Sequence, residues 1–229
     1  MNYAMETDRL GKRYGRRWAL ADCTLTVPAG QVVGLVGPNG AGKTTLLELA
    51  VGLLRPTTGT VRVPARTGFV AQDAPVYAGL TVADHLRMGQ ALNERWDDGL
   101  ARRQIGAAGL DPGQRAGRLS GGQRARLALA LAVARRPDLL ILDEPVANLD
   151  PLARREFLDS VAAAAASDGV TVVFSSHLVA DLERACGYLI VLAASQVRLA
   201  GPVRTLLSGP VSHKSLDDLV ISYLREGPR

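Results

Sequence analysis

Three stretches of this 229-residue chain carry residue types suited to phosphate chemistry. Gly37-Pro38-Asn39-Gly40-Ala41-Gly42-Lys43-Thr44 fits the pattern G-x-x-x-x-G-K-[ST]. Its glycines permit positive φ and let backbone N–H groups converge on anionic oxygens. A following helix would add the partial positive charge of its N-terminus. Lys43 would supply a full charge to the β- and γ-phosphates, and Thr44 a hydroxyl to Mg²⁺. Leu139 to Leu142 is an apolar run that delivers two carboxylates, Asp143 and Glu144. At the carboxyl end of a buried strand, Asp143 is placed to hold a magnesium shell and Glu144 to polarise a water. A strand ending in solvated acids has the same pattern, and only the nearby phosphate loop weighs against that reading. Leu119-Ser120-Gly121-Gly122-Gln123 opens a helical stretch. Ser120 can cap it and the glycines bare its first N–H groups, giving a second anion site. By spacing alone, a simple capped helix start accounts for it.

The elements that must position these residues follow from periodicity. Asp8 to Pro28 reads as strands, and Gln31 to Val36 as a buried strand feeding the glycine loop. Lys43 to Leu54 reads as a helix stopping near Pro56. Thr60 to Val63 and Gly68 to Gln72 are short strands. Helical spacing then predicts helices over Val82 to Leu92, Leu100 to Ala108 and Gly122 to Arg136. Beyond them, Leu139 to Leu142 and Val170 to Phe174 are strands flanking a helix over Arg154 to Ala166. Tyr188 to Leu192 and Val197 to Ala200 close the pattern as a strand pair. The β-α-β alternation implies an α/β fold with a mainly parallel sheet covered on both faces.

The composition narrows the function class. A hydrophobic content of 47% supports one large core, and the length is too short for two full enzymes. The longest apolar stretches fall well below the roughly 20 residues that span a bilayer, and the first ten residues lack a signal-peptide core. The expectation is therefore a cytoplasmic chain. Cys23 and Cys186 are far apart and read as free thiols. The net charge is +5, but of the 27 basic residues three are Lys and 24 are Arg, spread along the chain. With aromatic content at 4%, a base-stacking platform is poorly supplied, and no nucleic-acid partner is expected. His85, His213, Asp22 and the pair Asp97-Asp98 are expected to be packing residues or solvated charges.

Taken together and in order, these motifs resemble the ABC ATPase family, the nucleotide-binding domains of ABC transporters. The likeness runs from about Leu10 to Leu199. In that family GPNGAGKTT, Gly37 to Thr45, is the Walker A loop, LSGGQ is the signature motif, and LLILDEP, Leu139 to Pro145, is the Walker B strand with its glutamate. Gln72 stands where the family has a glutamine reaching towards Mg²⁺ and the membrane partner. Asn148-Leu149-Asp150 matches the D-loop, His177 the switch histidine that contacts the γ-phosphate, and Tyr14 the aromatic that stacks on adenine, with Trp18 a rival for that place.

The resemblance implies a P-loop NTPase (RecA-like) core over about residues 1–78 and 138–229, a small antiparallel β lobe, and an inserted α-helical subdomain over about 79–137. It implies ATP and Mg²⁺ as ligands. Glu144, His177, Lys43 and Gln72 would be the catalytic set, and Thr44, Gln72 and Asp143 would hold the metal. The Walker A residues and Tyr14 would hold the nucleotide, together with Ser120 to Gln123 and Asp150 across a head-to-tail dimer, either a homodimer or one with a paralogous ATPase. Integral membrane subunits would be the partners, placing the protein at the inner face of the membrane. The tail, Ser215 to Val220, resembles the terminal helix of exporter ATPases, and there is no room for the extra regulatory domain of sugar importers; export is the expectation. The rival class is a soluble ABC ATPase acting on nucleic acid or the ribosome, but the second ATPase domain or long coiled coil of such members is missing. Two departures stand out. Asn148 replaces a small residue, and the segment from Val63 to Phe69 is short, which predicts a trimmed β lobe.

Overall fold

The structure is a computed structural model and describes residues 3–73, 75–208 and 215–225. Strand β1 (Tyr3–Tyr14) turns at Gly15, where φ is 57°, onto β2 (Arg17–Pro28). Strand β3 (Val32–Val36) runs directly into the glycine loop and helix α1 (Lys43–Ala50). Strand β4 (Thr58–Arg62) returns to β1, giving a three-stranded antiparallel sheet in the order β2-β1-β4.

The second sheet carries the chemistry. It comprises β5 (Thr67–Val70), β6 (Leu139–Leu142), β7 (Thr171–Ser176), β8 (Tyr188–Ala193) and β9 (Gln196–Pro202), with β3 inserted in the order β5-β6-β7-β3-β8-β9. All neighbours pair in parallel except β8 and β9. Every residue of β3, β6 and β7 is buried, as a parallel sheet covered on both faces requires. The strand period of two splits β6 between the faces. Leu140 and Leu142 join one core with Val172, Phe174, Leu189 and Val191, while Leu139 and Ile141 join the other with Val33, Leu35, Val173 and Ile190. The expected α/β fold with a mainly parallel sheet and a small antiparallel lobe is the fold observed.

Between β5 and β6 the chain forms α2 (Val82–Leu92), α3 (Asp98–Ala107) and α4 (Gly121–Ala134). These helices share a core of their own, including Val82, Leu86, Ala101, Ile105, Leu127 and Ala130. After β6 come α5 (Pro151–Asp168), α6 (Val179–Ala185), α7 (Val203–Leu207) and α8 (Leu216–Arg225). No described helix is long and apolar enough to cross a membrane.

Several local expectations are corrected by the structure. Helix α1 ends at Ala50 rather than Leu54, because Gly52 takes φ 77° and the N–H groups of Gly52 and Leu53 fold back onto the carbonyls of Leu49 and Glu48. That is the two-bond pattern of a Schellman motif. Asp97 is not merely solvated: its carboxylate caps α3 at the N–H of Leu100, 2.7 Å, and accepts from Arg136 at 2.6 Å. Those bonds, the Leu100 N–H first, hold Asp97 below the ordinary carboxylate range. His85 is a packed residue with both ring nitrogens used. The N–H of Tyr77 donates to its Nε2 at 3.0 Å, so Nδ1 carries the proton and donates to the Thr81 carbonyl at 2.8 Å. His213 lies outside the described residues. Cys23 and Cys186 are free thiols, as expected.

Candidate active site

The parallel strands β3, β6 and β7 end at the same edge of the sheet, and the acidic and basic groups emerge there. Between this edge and the β lobe lies a cleft of about 720 Å³, within the size of ordinary ligand sites. Tyr14, Asn39, Gly40, Gly42, Lys43, Thr44, Thr45, Gln72, Glu144 and His177 line it. Residues more than a hundred positions apart in sequence thus meet in one cleft.

The loop after β3 is shaped by close approach. A Cβ on Gly37 would stand 2.1 Å from the Leu192 carbonyl oxygen, and one on Gly42 2.4 Å from that of Ala19. Gly42 also takes φ 106°, a conformation glycine adopts readily. Gly37, Pro38 and Ala41 complete the loop without facing the cleft. Helix α1 begins at Lys43 with no side-chain cap and no acidic residue in its first turn, so its first N–H groups and its dipole stay open to an anion.

The charged groups form a compact chain. The Lys43 ammonium donates to the Gly37 carbonyl at 2.8 Å and lies 3.1 Å from Glu144 Oε1. His177 Nδ1 lies 2.8 Å from Glu144 Oε2. The Lys43 and Glu144 side chains are 6% and 11% exposed, which makes the contact a largely dry one. Burial pushes the Glu144 carboxyl up, but its bonds to His177 and Lys43 outweigh that and hold it below its ordinary value. Asp143 is buried behind it. Ser175 Oγ donates to Asp143 Oδ1 at 2.7 Å and accepts the Glu144 N–H at 2.8 Å.

The remaining expected residues do not line this cleft. Ser120 caps α4 in a reciprocal box with Gln123, at 3.2 and 2.9 Å. Gly121 and Gly122 open that helix, and an added Cβ on Gly121 would lie 3.7 Å from the Asn148 carbonyl oxygen. Asp150 caps α5, accepting from Leu152 and Ala153 at 3.0 Å. Of the two rival aromatics, Tyr14 is 52% exposed on the cleft, whereas Trp18 lies in a separate hollow with its ring 5.5 Å from the Arg13 guanidinium.

Arg17, Ala147 and Ser175 are the site residues that sequence reasoning passed over, while Asn148, noted only for the D-loop match, also lines the cleft. The Arg17 guanidinium lies 4.0 Å from where a Cβ on Gly40 would stand. Its signal was the Arg16-Arg17 pair beside Tyr14, hidden in a chain rich in arginine. Ser175 offered one, a hydroxyl in an apolar strand.

The donor set fits magnesium. Thr44 offers a hydroxyl, Gln72 an amide oxygen and Asp143 a carboxylate of which the described bonds engage only Oδ1, all hard oxygen ligands. The Asp143 N–H donates to the Val70 carbonyl at 2.9 Å, tying the end of β6 to the strand that leads to Gln72.

Comparison with known proteins gives a consistent picture. The family described as ABC transporter matches residues 20–147. An Fe(3+) ions import ATP-binding protein of Rhodococcus jostii is 32% identical, over 92% of this chain and 66% of its own length. An aliphatic sulfonates import ATP-binding protein of Shigella flexneri is 36% identical, over 83% of this chain and 77% of its own. Among solved structures, an ATP-binding subunit of an ABC transporter superposes with a TM-score of 0.85 at 24% identity, covering 96% of this chain and 99% of that one, which shows the shared fold.

Proposed function

The chain belongs to the ABC transporter family as an ATP-binding subunit with ATPase activity, and from that premise we propose how its own residues bind and hydrolyse ATP and what they drive. The observation that carries the reading is the convergence of Lys43, Glu144 and His177 beside an open helix N-terminus. The phosphates of ATP lie along the N–H groups of Gly40 to Thr45, and Lys43 reaches the β- and γ-phosphates. Tyr14 stacks on the adenine, and Arg17 adds a second positive charge to the cleft. Glu144, kept ionised, orients and deprotonates the attacking water, and His177 contacts the γ-phosphate. Thr44, Gln72 and Asp143 would hold Mg²⁺, which supplies neutralisation of phosphate charge when bound.

Ser120 to Gln123 and Asp150 lie outside the Lys43 cleft, which supports their serving the nucleotide of a second ATPase subunit. Two chains arranged head to tail then form two composite sites related by a two-fold axis. ATP favours the closed pair and shifts the population towards it, and hydrolysis releases it. The helices α2 to α4, within about residues 79–137, dock the membrane subunits, and the Gln72 segment is the hinge. The protein works at the cytoplasmic face through those subunits.

Import is the direction proposed, supported by the names of the iron and sulfonate relatives. The export expectation rested on the tail and on the lack of room for an importer's extra regulatory domain. Leu216, Leu219 and Val220 of α8 are packed into the core of the subunit itself, an intrachain role that carries no sign of direction. Action on nucleic acid or the ribosome is not favoured.

The test is ATPase activity and ATP-dependent dimerisation of the purified chain beside Glu144→Gln. The expected result is a loss of turnover of roughly a hundredfold or more in the variant, with an ATP-stabilised dimer retained. A variant that hydrolyses ATP like the wild type would remove Glu144 from its role.

A further inference from the structure

Strand β7 is apolar through Val172, Val173 and Phe174, then ends in two buried serines, of which Ser175 is completely buried. A buried hydroxyl is unfavourable unless bonded, and packing alone would be met by alanine or valine. The Ser175 hydroxyl works in both roles, donating its proton to Asp143 Oδ1 and accepting the Glu144 N–H. Glu144 itself sits at φ 43°, a left-handed conformation that a non-glycine residue holds only where its surroundings impose it. Three backbone bonds frame that kink: Glu144 N–H to Ser175, Asp143 N–H to the Val70 carbonyl, and Ala147 N–H to the Glu144 carbonyl at 3.2 Å. Only the first uses a side chain.

We propose that Ser175 is a positioning residue for ATP hydrolysis, fixing the kinked backbone of Glu144 so that its carboxylate meets Lys43 and His177. The proposal rests on the ATPase reading above. Ser175 does not line the cleft and cannot touch nucleotide, so it acts through Asp143 and Glu144 alone. Removing its hydroxyl leaves the Glu144 N–H and one Asp143 oxygen without their partner, and the strained backbone is free to relax away from the reactive geometry. Neither bond of the Ser175 hydroxyl reaches the phosphate-binding loop between β3 and α1. The signature is therefore a loss in turnover without a matching loss in nucleotide affinity.

Thr171 provides the control. It is another buried hydroxyl on β7, at the opposite end of the strand from Ser175, and accepts the Gly30 N–H at 2.9 Å. Steady-state ATPase and binding of a fluorescent ATP analogue are measured for Ser175→Ala, Ser175→Thr and Thr171→Val, at a temperature below the unfolding transition of each. Ser175→Ala is expected to lose roughly 10- to 100-fold in kcat, with KM and analogue affinity within about twofold of wild type. Ser175→Thr recovers most of that activity, and Thr171→Val keeps wild-type kcat although its thermal stability falls. The proposal is overturned if Ser175→Ala turns over like wild type, if Thr171→Val falls as far, or if affinity falls in step with kcat. Should Ser175→Ala not fold, the isosteric pair Ser175→Thr and Ser175→Val decides: higher kcat in the threonine variant supports the role, and equal kcat overturns it. A wild-type chain without ATPase activity defeats the ATPase reading and this inference together, whereas an active wild type with an unaffected Ser175→Ala defeats the inference alone.

Discussion

At the scale of single residues, Glu144 is where the charges of the cleft converge, and its ionisation leaves a mark on stability. Its folded pKa lies below the ordinary value because His177 and Lys43 favour the carboxylate more than burial opposes it. The sign follows from linkage: the stability it contributes is fully present above the unfolded value, about 4.3, and is lost as pH falls through the folded one. The difference in unfolding free energy between wild type and Glu144→Gln should not shrink between pH 7 and about pH 5, and should close below that. Urea denaturation across a pH series measures it; a gap that closes near neutrality would refute the depressed pKa. Tyr14 and Trp18 give a second residue-level prediction. Tyr14→Ala should weaken ATP binding by about 1–3 kcal/mol, the range for aromatic–base stacking, while Trp18→Ala should leave it unchanged, because Trp18 faces another hollow. Calorimetric titration of both variants checks this, and the reverse ranking would move the adenine to the Trp18 hollow. Lys43, Asp143 and Glu144 were legible because each pairs a chemically loaded residue type with a strand end or a glycine loop, whereas His177 came only with the family resemblance. Arg17 was not legible, because an arginine among many carries no distinguishing type, and Ser175 offered only a hydroxyl in an apolar strand, whose partners the fold supplies.

Elements were read best where hydrophobic period and end signals agreed. Helix α2 was expected over Val82 to Leu92 and forms there, with Thr81 and Asp84 closing a capping box. Helix α5 begins earlier than expected, at Pro151, because Asp150 caps it and proline suits the first turn. Helix α6, only seven residues long, was missed because it holds too few turns for a period to show. The early end of α1 tests the conformational argument at Gly52. A Cβ there would meet nothing within 4 Å, so Gly52→Ala changes only the ease of reaching φ 77°. It should destabilise the protein by about 1 kcal/mol, seen as a lower denaturation midpoint with an unchanged slope. An unchanged midpoint would mean that the Schellman turn is not set by glycine.

At the scale of the whole molecule, the two helix ends proposed to meet phosphate do not share a cleft: α1 starts at Lys43 on the cleft, and α4 starts behind Ser120 away from it. One chain can use both on one nucleotide only by pairing with another chain, and this arrangement predicts complementation. Lys43→Ala removes a phosphate charge. Gly121→Asp places a carboxylate at the other helix end, where a Cβ has room and the helix dipole tolerates the acid, so the fold survives while an approaching phosphate is repelled. Each variant alone has both composite sites broken and should be inactive. In a mixed dimer, one site combines both lesions and the other combines neither. Random pairing at equal concentration makes half of the dimers mixed, each with one intact site of two, so activity should return to about a quarter of wild type if the sites act independently. Titrating one inactive variant into the other while following phosphate release measures it. Recovery that peaks at equal concentrations places Lys43 and Gly121 on opposite chains around one ATP, whereas activity that never rises above the separate variants would remove the support for a head-to-tail pair of independently working sites.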